Sequence, residues 1–212
     1  MKYAVLQYDN RHNNFLEKLM LKNKNICDNL DIFEYIKPNI DNSISQYWIK
    51  VKLTNKLISD DKYDGVLWLD SDAIIHNSQK LIQLINSTPI FLMSGDNPFS
   101  EFCAGVWFVR NNNIGKLLIN QWIQLYYNKY YKFWHKDPKT NQFITNMPFA
   151  IHPCYEQPAF IKHILPNYNI TKLPWYVLNN PIIPFFDNSA TLHFYGHFKN
   201  TIPIYLHLNS YF

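Results

Sequence analysis

Residues 65–72 read Gly-Val-Leu-Trp-Leu-Asp-Ser-Asp: an unbroken apolar run that ends in two carboxylates spaced i and i+2. A run of this length bounded by turn residues predicts a strand, Val66 to Leu69, buried on both faces. Side chains at i and i+2 of an extended chain point to the same side. Asp70 and Asp72 therefore leave the core together, at the C-terminal end of a strand, where open α/β sheets bind ligands. Two such carboxylates are suited to hold a divalent cation with help from phosphate oxygens. A plain turn after the strand is the competing reading, since Asp and Ser both favour turns.

Other strands and helices alternate around this one. Tyr3 to Tyr8 reads as a first strand, Asn14 to Cys27 as a helix, Asp31 to Ile36 as a short strand and Ser45 to Ser59 as a helix. After the Asp-x-Asp stretch come a helix at Gln79–Asn86, a strand at Ile90–Met93, a strand at Ala104–Arg110 and a long aromatic helix at Ile114–Tyr131. From about residue 133 prolines are frequent. That region reads as an irregular lobe with a helix at Gln157–Ile164 and short strands at Trp175–Leu178 and Thr191–Phe194. Alternation of this kind predicts an α/β fold with a mixed, largely parallel sheet flanked by helices. The 212 residues, 47% of them hydrophobic, suit one large domain or a closely fused pair, and the expectation is a single domain spanning 1–212.

Composition removes several function classes. The net charge is only +4 with no long basic run, so no nucleic-acid partner is expected. The three cysteines, Cys27, Cys103 and Cys154, are far apart and odd in number, which argues against a disulfide framework or a structural zinc site. They fit a reducing compartment. The N-terminal segment turns polar too quickly for a signal peptide, and no apolar run approaches the ~20 residues of a membrane span. A soluble, cytoplasmic protein is the expectation. There are five glycines, and no two lie closer than ten positions apart, so neither Gly-x-Gly-x-x-Gly nor a P-loop can be present. A nucleotide would have to be held through a metal and side chains.

Four features then occur in order: Trp48-Ile49-Lys50; Tyr63-Asp64-Gly65-Val66-Leu67-Trp68-Leu69-Asp70-Ser71-Asp72-Ala73; Cys103-Ala104-Gly105-Val106-Trp107-Phe108-Val109-Arg110-Asn111 with Trp122 beyond; and Tyr155-Glu156-Gln157-Pro158-Ala159-Phe160 followed by His193-Phe194-Tyr195-Gly196-His197-Phe198-Lys199. Together they resemble the GT-A glycosyltransferases that use a nucleotide-diphosphate sugar and a divalent metal, with most similarity to the galactosyl/xylosyltransferase family of yeast mannan and plant xyloglucan enzymes. The last stretch also resembles the His-x-x-Gly-x-x-Lys of glycogenin-like enzymes. Two positions depart from the pattern: Cys103 stands where the family usually has Asn, and Asn200-Thr201 follow Lys199 in place of Pro-Trp.

The resemblance implies transfer of a sugar from a nucleotide-diphosphate donor, a UDP-sugar first, to a hydroxyl of a glycan acceptor. It implies Asp70 on ribose or metal, Asp72 on the metal, and His193 completing the metal shell. An imidazole among oxygen ligands suits Mn²⁺ better than Mg²⁺, the alternative ion. Gly196 would let backbone approach the phosphates, Lys199 would neutralise the β-phosphate, and Lys50 is a second candidate for phosphate contact. Tyr8 would stack on the base, with Gln7 or Asp9 hydrogen-bonded to it. Ala104 and Gly105 would leave room for the sugar. Asp96, Glu156 and Gln157 could bind sugar or acceptor hydroxyls, and Asp96 and Glu156 are the candidate general bases if the enzyme inverts. Trp107, Trp122, Trp134 and Trp175 are core residues, of which one or two could form an acceptor platform. A compact bacterial or large-virus enzyme is the implied setting.

Two other readings stay open in the sequence. A nucleotidyltransferase would want a glycine-rich N-terminal loop, and Gln7–Asn14 contains no glycine. A non-catalytic carbohydrate- or nucleotide-binding protein on a degenerate version of the fold would keep its activity without Asp70 or Asp72.

Overall fold

The computed structural model describes residues 1–208 except 12, 40, 96–99, 150 and 182–187. In chain order the elements are β1 (Tyr3–Tyr8), α1 (Asn14–Asp28), β2 (Phe33–Ile36), α2 (Gln46–Ser59), β3 (Gly65–Asp70), β4 (Ala73–Ile75), α3 (Ser78–Ser87), β5 (Phe91–Ser94), β6 (Val106–Arg110), α4 (Asn113–Leu125), β7 (His135–Lys136), β8 (Phe143–Ile144), α5 (Glu156–His163), β9 (Thr171–Leu173), α6 (Trp175–Leu178), β10 (Thr191–His193) and α7 (Ile202–Leu208). Six strands form the central sheet in the order β2-β1-β3-β6-β5-β9. Only β6 runs against the others. The sheet is thus mixed and largely parallel, as the alternating pattern predicts.

The strands are apolar on both faces because both faces are covered. In β3, Val66 and Trp68 join one core with α2, α4 and α5, while Leu67 and Leu69 join the other with α3 and α6. Residues of β1 and β6 divide between the same two cores. The helices start where short polar side chains can cap them: the carboxamides of Asn13, Asn77 and Asn112 accept from first-turn amides of α1, α3 and α4. None of the helices is long and apolar enough to cross a membrane, among the described residues.

The aromatic stretch expected to continue as helix to Tyr131 changes character. Its α-helical part stops at Leu125, a π turn follows over Tyr126–Tyr130, and a 3₁₀ turn closes at Phe133. Trp175–Leu178, expected as a strand, is a short helix. Pro174 sits at its N-cap with φ −55°, and the Asn179 N–H bonds back to Trp175 O. Proline presets this φ and lacks the N–H a ladder needs, so the edge strand ends just before it, at Leu173. The second small sheet matters most for the site. β4 pairs antiparallel with β10, and His193 lies opposite Ala73, the residue after Asp72.

Candidate active site

The turn from β3 to β4 carries Asp70, Ser71 and Asp72, and side chains behind it fix its shape. Gln7, fully buried at the end of β1, donates through Nε2 to Asp70 O at 2.9 Å and Ala73 O at 3.0 Å. Its Oε1 accepts from Asn23 Nδ2 and from the Tyr35 hydroxyl, both at 3.1 Å. Asn23 also donates to Ala73 O at 2.9 Å and accepts from Ile75 N–H at 2.9 Å. Every donor and lone pair of the Gln7 amide is used inside the protein, and both carbonyls flanking the acidic pair are held.

On the open side of this turn, Asp70, Asp72 and His193 each offer a ligand atom, all within 4.8 Å of one another. Asp70 Oδ1 accepts from Lys50 Nζ at 2.8 Å and from Trp68 Nε1 at 2.7 Å. Its Oδ2 faces His193 Nε2 at 3.9 Å. Asp72 Oδ1 lies 3.3 Å from the same Nε2, and its Oδ2 pairs with Lys199 Nζ at 2.9 Å. On the far side of the ring, His193 Nδ1 is 3.0 Å from Asn179 Oδ1, and Asn179 Nδ2 donates to Ser94 Oγ at 2.6 Å. In the neutral tautomer that carboxamide takes the Nδ1 proton, which leaves the Nε2 lone pair directed at the carboxylates. Cys103 Sγ is 3.7 Å from Nδ1. Two carboxylates and one such imidazole fit a divalent cation.

Electrostatics match the geometry. Burial alone would drive His193 toward its neutral form, yet the adjacent Asp72 holds its pKa well above the usual range. Burial would likewise raise Asp72, but His193 and Lys199 hold it low. Lys50 is buried, and Asp70 and then Glu156, 3.4 Å away, keep it charged against its desolvation. Its charge is matched first by Asp70, at the shorter distance. Burial of Glu156 pushes its own carboxyl upward, with Lys50 opposing and Asp70 adding to the rise.

The remaining expected residues surround one cleft of about 530 Å³. Tyr8, Asp9, Lys50, Ala104, Gly105, Glu156, Gln157, Gly196 and Lys199 line it with the acidic pair and His193, whereas Gln7 lies beneath it. The three ammonium hydrogens of Lys50 face Asp70, Ala104 O at 3.1 Å and Glu156. Both oxygens of Asp9 are taken by the Arg11 guanidinium at 2.9 Å, and Arg11 Nη2 also donates to Ser71 Oγ at 2.7 Å. Gln157 Oε1 accepts from Ala104 N–H at 2.9 Å. A Cβ on Gly105 would fall inside the His193 ring, so the bare backbone there seats the imidazole. Gly196 has φ +56° with open space beside it, a left-handed conformation that glycine adopts without strain. Asp96 lies outside the described residues. Trp107, Trp122 and Trp134 are buried.

Sequence reading did not single out Arg11, Asn179, Tyr47 or Phe149. Arg11 had a signal, a cation two residues after Asp9 at a strand end. Asn179 and Phe149 had none, because only the folded lobe brings them to the site.

No family model matches the sequence, and no curated protein matches it. Solved structures do. A glycosyltransferase involved in the glycosylation of the major capsid of PBCV-1 superposes with a TM-score of 0.67 at 14% identity, covering 98% of this chain and 100% of that one. The glycosyltransferase GlyE of Streptococcus pneumoniae TIGR4 superposes with a TM-score of 0.57 at 17% identity over 92% of this chain, and its apo form with 0.57 at 13% over 93%. This chain matches 55% of the GlyE chain. At these identities the likeness establishes architecture, and the architecture is the GT-A glycosyltransferase fold.

Proposed function

We propose that this protein is a metal-dependent glycosyltransferase that moves a sugar from a nucleotide-diphosphate donor, a UDP-sugar first, to a hydroxyl of a glycan acceptor, acting as a single domain. The observation that carries the reading is the convergence of Asp70, Asp72 and His193 at the C-terminal end of β3, inside a cleft of about 530 Å³. The glycosyltransferases that share the fold support it.

Asp70 Oδ2, Asp72 and His193 Nε2 would hold Mn²⁺, with Mg²⁺ as the alternative. Bound there, the ion supplies Lewis-acid stabilisation of the charge that develops on a departing diphosphate. The protein's own residues do the rest. Lys50 and Trp68 hold Asp70 Oδ1 so that its other oxygen faces the site. Asn179 fixes the imidazole. Lys199, on the segment after Gly196, is the cation that can turn from Asp72 to a diphosphate. Tyr8 would stack on the base, beside Asp9 clamped by Arg11 in the same cleft. Glu156, kept by burial above the usual carboxyl range, would take the acceptor proton if the reaction inverts. Asp96 is the other candidate for that role.

The test is release of free nucleoside diphosphate from a panel of nucleotide sugars, with Mn²⁺ or with chelator. Release with one donor that falls at least ~100-fold in Asp72→Asn, in the range typical for removing a group that stabilises transition-state charge, is the expected outcome. Release that ignores both chelator and Asp72→Asn would sink the reading.

A further inference from the structure

The cleft has walls of unlike chemistry. One bears the acidic pair, His193 and the Arg11–Asp9 clamp. The other is aromatic. Tyr155 stands edge-on to Tyr47, with ring centres 5.0 Å apart at 84°, and to Phe149, at 5.3 Å and 85°. Tyr47 and Phe149 are themselves 5.6 Å apart. Trp134 backs the group, 5.2 Å from Tyr155 and 5.9 Å from Tyr47.

Exposure divides this cluster sharply. Tyr155 and Trp134 are each 6% exposed, whereas Phe149 is 64% exposed and lines the cleft. A lone exposed apolar ring needs no explanation. This one rests on a buried aromatic base, inside the same cleft as the metal-ligating trio, and it has no polar atom of its own. Glu156 and Gln157 follow Tyr155 directly in the chain and line the same cleft. An aromatic face beside a carboxylate and a carboxamide matches the two-sided surface of a pyranose. The ring's negative face attracts the polarised C–H groups of the sugar's apolar side, and the polar pair takes its hydroxyls. Of the other rings lining the cleft, Trp68 is buried and bonded to Asp70, and Tyr195 lies 5.2 Å from His193, both beside the acidic pair; Phe149 and Tyr47 are the rings grouped with Tyr155, next to Glu156 and Gln157.

We propose that Phe149 and Tyr47 form the acceptor subsite, stacking the apolar face of a pyranose and turning one of its hydroxyls toward Glu156. This rests on the reading of the metal side of the cleft as the donor site.

Saturation-transfer NMR tests it without need of turnover. The protein's aromatic protons are irradiated in the presence of methyl β-D-galactopyranoside, methyl α-D-glucopyranoside, methyl α-D-mannopyranoside or methyl β-D-xylopyranoside. The expected result is transfer to the ring C–H protons of at least one probe, about tenfold weaker binding in Phe149→Ala, and recovery in Phe149→Trp. Binding of UDP with Mn²⁺ is measured on the same samples and stays unchanged in both variants. No transfer to any probe, or equal transfer in Phe149→Ala, overturns the subsite. Joint loss of sugar and nucleotide binding in Phe149→Ala also overturns it, because Phe149 would then support the cleft as a whole. Absence of nucleotide binding in the wild type refutes the donor reading instead, and the sugar result still decides the subsite.

Discussion

From Tyr3 to Leu125 the described chain is mostly long strands and helices, and five of the six strands of the central sheet, β1, β2, β3, β5 and β6, lie there with helices laid on both faces. Beyond Tyr126 the regular elements shorten, and side chains take over the backbone's hydrogen bonds. Trp48 and Trp134 both donate through their indole N–H to Cys154 O, at 2.7 and 3.2 Å, and Trp122 donates to Glu156 O at 3.0 Å. The Thr191 hydroxyl donates to Leu178 O. Buried backbone in an irregular segment must find partners somewhere. Here the sheet half supplies two of the three indoles, so the lobe is pinned to the rigid half at the residues that precede and begin the Glu156 helix. The comparison teaches where precision resides: the acidic pair rides on ladder and buried amides, while the aromatic wall of the cleft depends on a lobe fastened by a few side chains.

Breaking a fastening should therefore have the largest effect. Trp122→Ala removes a fully buried indole and its bond to Glu156 O. It should cost about 3–5 kcal/mol in denaturant unfolding. Trp122→Phe should recover most of the packing and lose only the indole bond to Glu156 O. If Trp122→Ala were as stable as wild type, the pinning account would fail.

Gln7→Leu attacks the rigid half at its most concentrated point. Asp70 O loses the Gln7 donor, Ala73 O is left with Asn23 alone of its two side-chain donors, and Asn23 and Tyr35 lose the carboxamide oxygen that accepts from them. Roughly 2–3 kcal/mol of stability should go, and Mn²⁺ affinity should drop, as isothermal titration would register. Retained affinity would mean that the turn needs no brace. Gly105→Ala is milder for the fold, about 1–3 kcal/mol for an added methyl in a packed place, but it should displace the His193 ring and weaken Mn²⁺ binding. Unaltered metal binding in this variant would separate Gly105 from His193.

How much of this was legible in the sequence follows the same division. The Asp70/Asp72 pair, β1, β3 and the helices around them carry strong periodicity, because strands buried on both faces and amphipathic helices leave clear patterns. His193 could be nominated only through its resemblance to a known motif. What brings it to Asp72 is the pairing of two three-residue strands, β4 and β10, too short to produce a pattern. Gln7 shows why a strand-end polar residue is ambiguous. It closes an apolar run as a nucleotide contact would, but β1 lies between β2 and β3, and its last side chains turn inward as well as out. Trp175–Leu178 has strand-like composition, and Pro174 decided it for helix. Phe149 sits in a stretch with no period at all, and only its aromatic neighbours in space give it meaning.

The smallest expected effect is acid sensitivity. Lys2, Lys62 and Tyr63 lower the Glu34 carboxyl to about 2. Lys52 and Ser43 outweigh burial and lower Asp41 to about 2. Both sit below their unfolded values of about 4.3 and 3.9. Their stabilisation is thus complete above pH ~5 and is lost as pH falls toward 2. Both groups are partly exposed, so solvent screening leaves roughly a few tenths of a kcal/mol each. Glu34→Gln should flatten that limb of the stability–pH curve slightly, and an unchanged curve would remove Glu34 from it.

The most direct measurement is Mn²⁺ binding followed by electron paramagnetic resonance, with and without UDP, in the wild type, Asp72→Ala and His193→Ala. The account predicts one site in the wild type, tightened by UDP, and at least tenfold weaker binding in each variant, with thermal unfolding showing that both remain folded. Mn²⁺ affinity equal in all three proteins would contradict it.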